Sequence, residues 1–304
     1  MIAQSSELSI KIDEFLNFLE FDRHLSPLTI RNYTHYLTRF SKYVSKKIKN
    51  PKLKDINILL VELYKKELFG FGLSSKTLGF HLIVLRGFLK WLRDNGTKVL
   101  NIEQIKVPKV APSKIDFLSG SDVERLLGSP DLKQIGGKRD RAIMEVLYST
   151  GLRVSDLTTL DRGLVNSEKK ELVILGNRRK KARAVFLSLR ALGWVENYLK
   201  VRKDNLKPLF VSHKGNPSRL TPRSVQRMIK KYTRKIGLSA EVTPKTLRHS
   251  FATDLLMAGA DIRSVQEMLG HKNISTMQIY THVTNRQLRE VHQAFHHVER
   301  GRRV

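Results

Sequence analysis

Residues 243–283 read TPKTLRHSFATDLLMAGADIRSVQEMLGHKNISTMQIYTHV, and the rest of the chain is organised around them. Thr243-Pro244 is a helix start, with a Thr cap followed by Pro at the first helical position, where its missing N–H is not needed. Leu247, Phe251 and Leu255 recur every four residues and predict a buried stripe on that helix. Lys245 and Arg248 stand three apart and are expected to share a face other than the apolar one. Gly259 ends the helix; Asp261 caps a second, with Ile262, Val265 and Leu269 inward, and Gly270 ends that one. His271 follows at once. A third segment, capped by Ser275 or Thr276, carries Tyr280. Alone, a helical Tyr or Arg is ordinarily core, surface or one half of an ion pair; the order and spacing of the set are far more specific.

Three boxes of this stretch are Arg-His-Ser-Phe-Ala-Thr from Arg248, Leu-Gly-His-Lys from Leu269 and Ile-Tyr-Thr-His-Val from Ile279. Upstream, Thr150 opens Thr-Gly-Leu-Arg-Val-Ser-Asp-Leu. Together they resemble the catalytic half of the tyrosine recombinases, most closely the Xer-like members. The resemblance runs over essentially the whole chain and is strongest over residues 117–283. It implies a mainly α fold: an N-terminal four-helix core-binding (SAM-like) domain, then an α+β catalytic domain of the DNA breaking-rejoining type with a small three-stranded sheet. It also implies roles. Tyr280 would be the nucleophile of a 3′-phosphotyrosine, which stores the bond energy so that religation needs no nucleotide cofactor. Arg153 and Arg248 would present planar forks of donors to the non-bridging phosphate oxygens, which a lysine does less well. His271 would donate to the phosphate, and Lys245 occupies the place where many relatives carry His.

Composition agrees with such a substrate. The 56 Lys+Arg against 28 Asp+Glu give a net charge of +28, which favours a polyanion through counterion release. A hydrophobic content of 40% is that of a folded protein, so the excess charge belongs to the surface. With no cysteine, disulfides, thiolate chemistry and Cys-type zinc sites are excluded. No apolar run reaches the length of a membrane span and the N-terminus lacks a signal-peptide pattern, so a soluble cytoplasmic protein is expected.

In chain order, Ile12, Phe15, Leu16 and Leu19 make one helical stripe. Ser26-Pro27 starts a second helix with Ile30, Tyr33, Leu37, Phe40 and Val44 inward. A third spans about 56–68 and ends at Gly-Phe-Gly 70–72. A fourth runs from Ser74-Ser75 to Asp94, with Leu78, Leu82, Leu85, Leu89 and Leu92 inward and Lys76, Arg86, Lys90 and Arg93 outside. The expected division is residues 1–106 as a DNA-clamping domain, 107–116 as a Pro- and Lys-bearing linker, and 117–304 as the catalytic domain. Within the latter, Ser119 or Ser121 caps a short helix, and a buried helix spans 139–149. Residues 171–175 and 182–187 form a hairpin, Ser188 caps a helix to about Arg202, and 208–212 is the candidate third strand. Thr221-Pro222 starts a helix whose Arg223, Arg227 and Lys230 are, with Lys76, Arg86 and Lys90, the candidate DNA contacts.

The hairpin departs from the family's Gly-Lys-Gly-x-Lys-x-Arg. Here it reads Gly-Asn-Arg-Arg-Lys-Lys-Ala-Arg over 176–183, one residue longer, with Asn177 or Arg178 at the acid's usual place. Lys180 is favoured as the acid for the leaving 5′ oxygen, because Lys181 alternates with Arg183, Val185 and Leu187; a weakened or absent acid is the other outcome. A DNA-binding protein without catalysis and a type IB topoisomerase-like relaxase are the competing readings. A metal site at His292 and His296 lacks a third ligand, and none is expected. In the tail 285–304, Leu288, Val291, Phe295 and Val298 form an apolar stripe. It either folds back on its own domain or, as in the family, docks in a neighbour to build a homo-tetramer on two double-stranded DNA sites.

Overall fold

The computed structural model describes residues 6–108, 117–175, 182–238 and 242–270. The chain divides into two compact units, Met1–Pro112 and Ser113–Val304.

The first unit is four helices: α1 (Glu7–Asn17), prolonged by a π-turn over Phe18–Asp22, α2 (Pro27–Lys47), α3 (Ile58–Gly70) and α4 (Ser75–Asp94). Each has a side-chain cap: Ser6, Ser26, Asn57 and Ser74 accept the amide N–H three residues on, an interaction of about 1 kcal/mol per helix. The Asn57 cap explains why α3 starts two residues after Ile56, which is itself buried in the core. The leucine stripe of α4 faces inward as expected, against Leu37, Phe40 and Val44 of α2. Ile30 and Tyr33 are only partly buried, packed against the edge of the same core. On the opposite side of α4, Lys76, Lys90 and Arg93 are exposed and Arg86 half-buried.

The second unit contains α5 (Gly120–Gly128), α6 (Ile135–Thr150), α7 (Val154–Thr158), α8 (Leu189–Val201), α9 (Pro222–Lys235), α10 (Pro244–Met257) and α11 (Ile262–Leu269). Its sheet is antiparallel, in the order β1 (Val165–Asn166), β2 (Glu171–Ile174), β3 (Arg183–Phe186). Leu172 pairs with Val185, and both point into the core. The hairpin expectation holds for these strands, while its turn, 176–181, lies outside the described residues.

Two expectations need correction. The third strand is not 208–212 but Val165–Asn166; Pro208 and Val211 make only single bridges, to Asp161 and Arg219. The cause is Arg202, whose buried guanidinium takes the Pro208 and Leu209 carbonyls at 2.7 and 2.9 Å, and Pro208 has no N–H to extend a ladder. The buried helix begins at Ile135 rather than at 139. Its first turn takes in Gly136-Gly137, and at Gly137 only glycine fits, because the backbone of Asp131 crosses where a side chain would stand. The resulting α6 is the centre of the unit, packed by α5, α8, α10 and β3.

Candidate active site

Helix α10 starts as its Thr-Pro pair dictates. Thr243 and Thr246 form a reciprocal capping box, Thr246 N–H donating to Thr243 Oγ1 at 3.3 Å and Thr243 N–H to Thr246 Oγ1 at 3.0 Å. Of the expected stripe only Leu247 is fully buried. Phe251 and Leu255 are half-buried, and the closed line is Leu247, Ala252 and Leu256. Lys245 is exposed, but Arg248 is only 7% exposed. The reason is that α10 is contacted by α6, α9 and α11, so little of its circumference is left to water.

Burying a guanidinium is tolerable only where its donors are satisfied. Arg248 Nη1 donates to the Gly151 carbonyl at 2.5 Å and Nη2 to the Leu269 carbonyl at 2.8 Å. Gly151 is the left-handed C-cap of α6 and Leu269 the last residue of α11. Carbonyls at helix C-termini lack intrahelical partners and carry partial negative charge, so one cation bridges the ends of two helices. The approach depends on Gly151. Its φ is +60°, and a Cβ there would stand 2.5 Å from the Phe251 ring and 2.7 Å from Leu269.

Arg153 opens α7 and is half-buried; its Nη2 reaches the carbonyl of Gly270 at 3.5 Å. The two arginines therefore reach consecutive carbonyls at the end of α11, directly before His271. Between them lies a pair absent from the expected site. Arg183 Nη2 meets Asp156 Oδ2 at 3.2 Å, and the Arg183 guanidinium fills the space where a Cβ on Gly270 would stand. Asp156 belongs to the Arg153 box and Arg183 matches the last position of the hairpin pattern, so both were visible in the sequence, but not as partners. Next to Arg248, burial first, then Lys245 and Arg248, holds the His249 imidazole down to about 4, so it is neutral at neutral pH.

Of the expected site residues, the structure thus brings together Arg153 and Arg248. Lys245 sits one turn before Arg248 at the surface. Lys180, His271, Tyr280, His292, His296 and the tail 285–304 lie outside the described residues. The expected DNA contacts Arg223, Arg227 and Lys230 are exposed on α9, and among the described residues none of the three makes an ion pair.

Beside this cluster, α6, β3, α10 and α11 enclose a groove of about 670 Å³, with Tyr148, Phe186, Phe251, Leu255 and Met268 in its walls. It carries carboxylates at Glu145 and Asp254. Tyr148 O–H donates to Asp254 Oδ2 at 2.6 Å, and burial raises the Asp254 carboxyl above its usual range.

Residues 116–287 match the Phage integrase family, and residues 12–96 match the Phage integrase, N-terminal SAM-like domain. The chain belongs to the phage integrase family. It is 38% identical over 280 residues to the tyrosine recombinase XerA of Pyrococcus horikoshii, covering 92% of this chain and 91% of that one. With the tyrosine recombinase XerD of Listeria monocytogenes it shares 36% over 302 residues, 94% and 98% of the two chains. Among solved structures, the crystal structure of XerA recombinase covers 95% of this chain and 99% of its own, at 26% identity and a TM-score of 0.54. XerH site-specific recombinase bound to palindromic difH substrate has the same fold, at 24% identity and a TM-score of 0.73, over 94% of this chain and 84% of that one. As a site-specific tyrosine recombinase, this phage integrase family member is an enzyme that cleaves and rejoins DNA; the topoisomerase-like and catalytically silent readings are not favoured. Among its described residues, no helix is long and apolar enough to cross a membrane.

Proposed function

We propose that this recombinase exchanges strands between two DNA sites through a 3′-phosphotyrosine on Tyr280. The observation that carries the reading is the approach of Arg153 and Arg248 to the consecutive carbonyls of Gly270 and Leu269. A scissile phosphate beside that helix end would meet two guanidinium forks, with His271 the next residue along. Tyr280 Oη attacks phosphorus and gives up its phenolic proton to solvent, the bond to the 5′ oxygen breaks, and Lys180 or Lys181 protonates the leaving oxygen. In the second half the 5′-hydroxyl of a partner strand attacks the phosphotyrosine and frees the phenol. Lys245, exposed one turn before Arg248, serves as a donor to the phosphate rather than as a base. No metal or cofactor enters either step.

In this reading, residues 1–106 form a clamp on one side of the duplex, 107–116 the linker and 117–304 the catalytic domain. Lys76, Arg86 and Lys90 of α4 and Arg223, Arg227 and Lys230 of α9 neutralise DNA phosphates. Xer-like resolution of chromosome dimers in the cytoplasm and integration or excision of a mobile element both use this chemistry. The apolar stripe of the tail suits the apolar wall of the groove formed by Phe251, Leu255 and Met268. Docked there from a neighbour, it would close four protomers into a ring.

The test is a nicked duplex that traps the covalent product. Tyr280→Phe is expected to bind this DNA as the wild type does and to form no adduct; an adduct in that variant removes the assignment. Truncation after Asn285 is expected to spare single-site binding and abolish the paired-site complex.

A further inference from the structure

The box that carries Arg153 also carries a carboxylate able to capture it. Asp156 lies in the first turn of α7, and its amide N–H donates to the Arg153 carbonyl at 2.9 Å. From this position an acidic side chain reaches back toward the capping residue, and residues three apart on a helix are within ion-pair range. Against such a pair, the contact that now holds Arg153, 3.5 Å to the Gly270 carbonyl, is loose.

The Asp156 carboxylate is engaged instead by Arg183, at 3.2 Å, with the two side chains 26% and 11% exposed. Arg183 arrives from another element, at the start of β3. Its guanidinium lies over Gly270, a residue with φ of +63° whose missing side chain leaves the space that Arg183 fills. Ser155 Oγ adds a 3.5 Å contact to the same carboxylate. We propose that Arg183 is a positioning residue: it occupies Asp156 and so leaves Arg153 directed toward the Gly270 end of α11, where the scissile phosphate binds. The proposal rests on Arg153 being a phosphate ligand.

The experiment uses the full chain and a nicked duplex chosen, from fragments of the source genome, for adduct formation by the wild type. It is made with an ordinary scissile phosphate and with a methylphosphonate there, which lacks one negative charge and so depends less on Arg153. On the ordinary phosphate, Arg183→Ala is expected to slow single-turnover cleavage by about 10²-fold, the scale of one lost preorganised donor, with DNA affinity little changed. Adding Asp156→Asn removes the competing carboxylate and is expected to recover at least about tenfold of that loss. On the methylphosphonate, Arg183→Ala is expected to approach the wild-type rate. Arg153→Ala is the internal reference and must itself gain on the methylphosphonate. Should Arg183→Ala fail to fold, Arg183→Lys, which keeps the charge but not the fork, is read in the same way.

Equal slowing of Arg183→Ala on both substrates, while Arg153→Ala gains, overturns the proposal and leaves Arg183 a structural residue. A double variant no faster than Arg183→Ala overturns it as well. If Arg153→Ala does not gain either, the assignment of Arg153 as phosphate ligand has failed, and the role of Arg183 falls with it.

Discussion

Helices α4 and α10 carry similar ingredients and place them differently. Each has apolar residues at helical spacing and basic residues between them. In α4 the arrangement follows the pattern: leucines inward, Lys76 and Lys90 in water. In α10, Arg248, nearly closed off, stands three positions after exposed Lys245. Helix α4 packs against α1, α2, α3 and the 3-10 turn Ile102–Gln104 yet keeps Lys76, Lys90 and Arg93 exposed, whereas in α10, contacted by α6, α9 and α11, every position from Thr246 to Ser250 is buried. A period of hydrophobicity predicts a solvent face only for a helix that has one. The residue types fit this difference: a guanidinium can satisfy two carbonyls at fixed directions, whereas a lysine needs water around its ammonium.

The strongest way to break the contrast is to remove its buried member. Arg248→Ala is expected to cut single-turnover cleavage by about 10²–10³-fold and to lower stability by about 1–3 kcal/mol, since the Gly151 and Leu269 carbonyls lose their donors. Lys90→Ala should leave both nearly untouched. Wild-type melting and cleavage in Arg248→Ala would mean that its burial has no consequence.

Glycines give the next largest effect. Gly151→Ala meets the Phe251 ring at 2.5 Å in a left-handed conformation, and a loss of about 2–4 kcal/mol in a denaturant titration is expected. Gly87→Ala in α4 meets only Phe15, at 4.0 Å, and is expected to be neutral or to stabilise by about 0.5–1 kcal/mol. Equal losses at the two positions would contradict the packing described.

A smaller effect sharpens the comparison. His81 of α4 and His249 of α10 are both held down to about 4, first by burial, then by Arg39 and His35 at His81 and by Lys245 and Arg248 at His249. Their ordinary value is 6.5. The unfolded chain therefore binds these protons more readily, and stability that is full above pH 6.5 declines as pH falls toward 4. Each site is expected to contribute about 1–3 kcal/mol to that decline, and His81→Gln or His249→Gln should flatten it. An unchanged pH slope in both variants would remove the assignment.

The smallest effect belongs to the open side of α4. Lys90→Ala is expected to weaken DNA binding by less than about tenfold and to reduce the salt dependence of log K by about one. The same variant with altered single-turnover cleavage at saturating protein would place α4 nearer the chemistry than proposed.

Much of this molecule could be read along the chain because its signals are local. Ser26-Pro27, Ser74, Ser119, Ser188, Thr221-Pro222 and Thr243-Pro244 each begin a helix through bonds made within three residues. The order of the boxes around Arg153, Arg248, His271 and Tyr280 was legible in the same way, and with it the family. What only the tertiary structure decided depends on partners far apart in sequence. Arg202, folding back on the Pro208 and Leu209 carbonyls, denied residues 208–212 a place in the sheet, which Val165–Asn166 took. Arg248 is buried because the ends of α6 and α11, 97 and 21 residues away, meet at its fork. Asp156 and Arg183 pair across 27 residues and two strands. Local bonds depend on neighbours that the sequence writes side by side, whereas burial and ion pairing depend on which segments cover one another, and that is settled only when the chain packs.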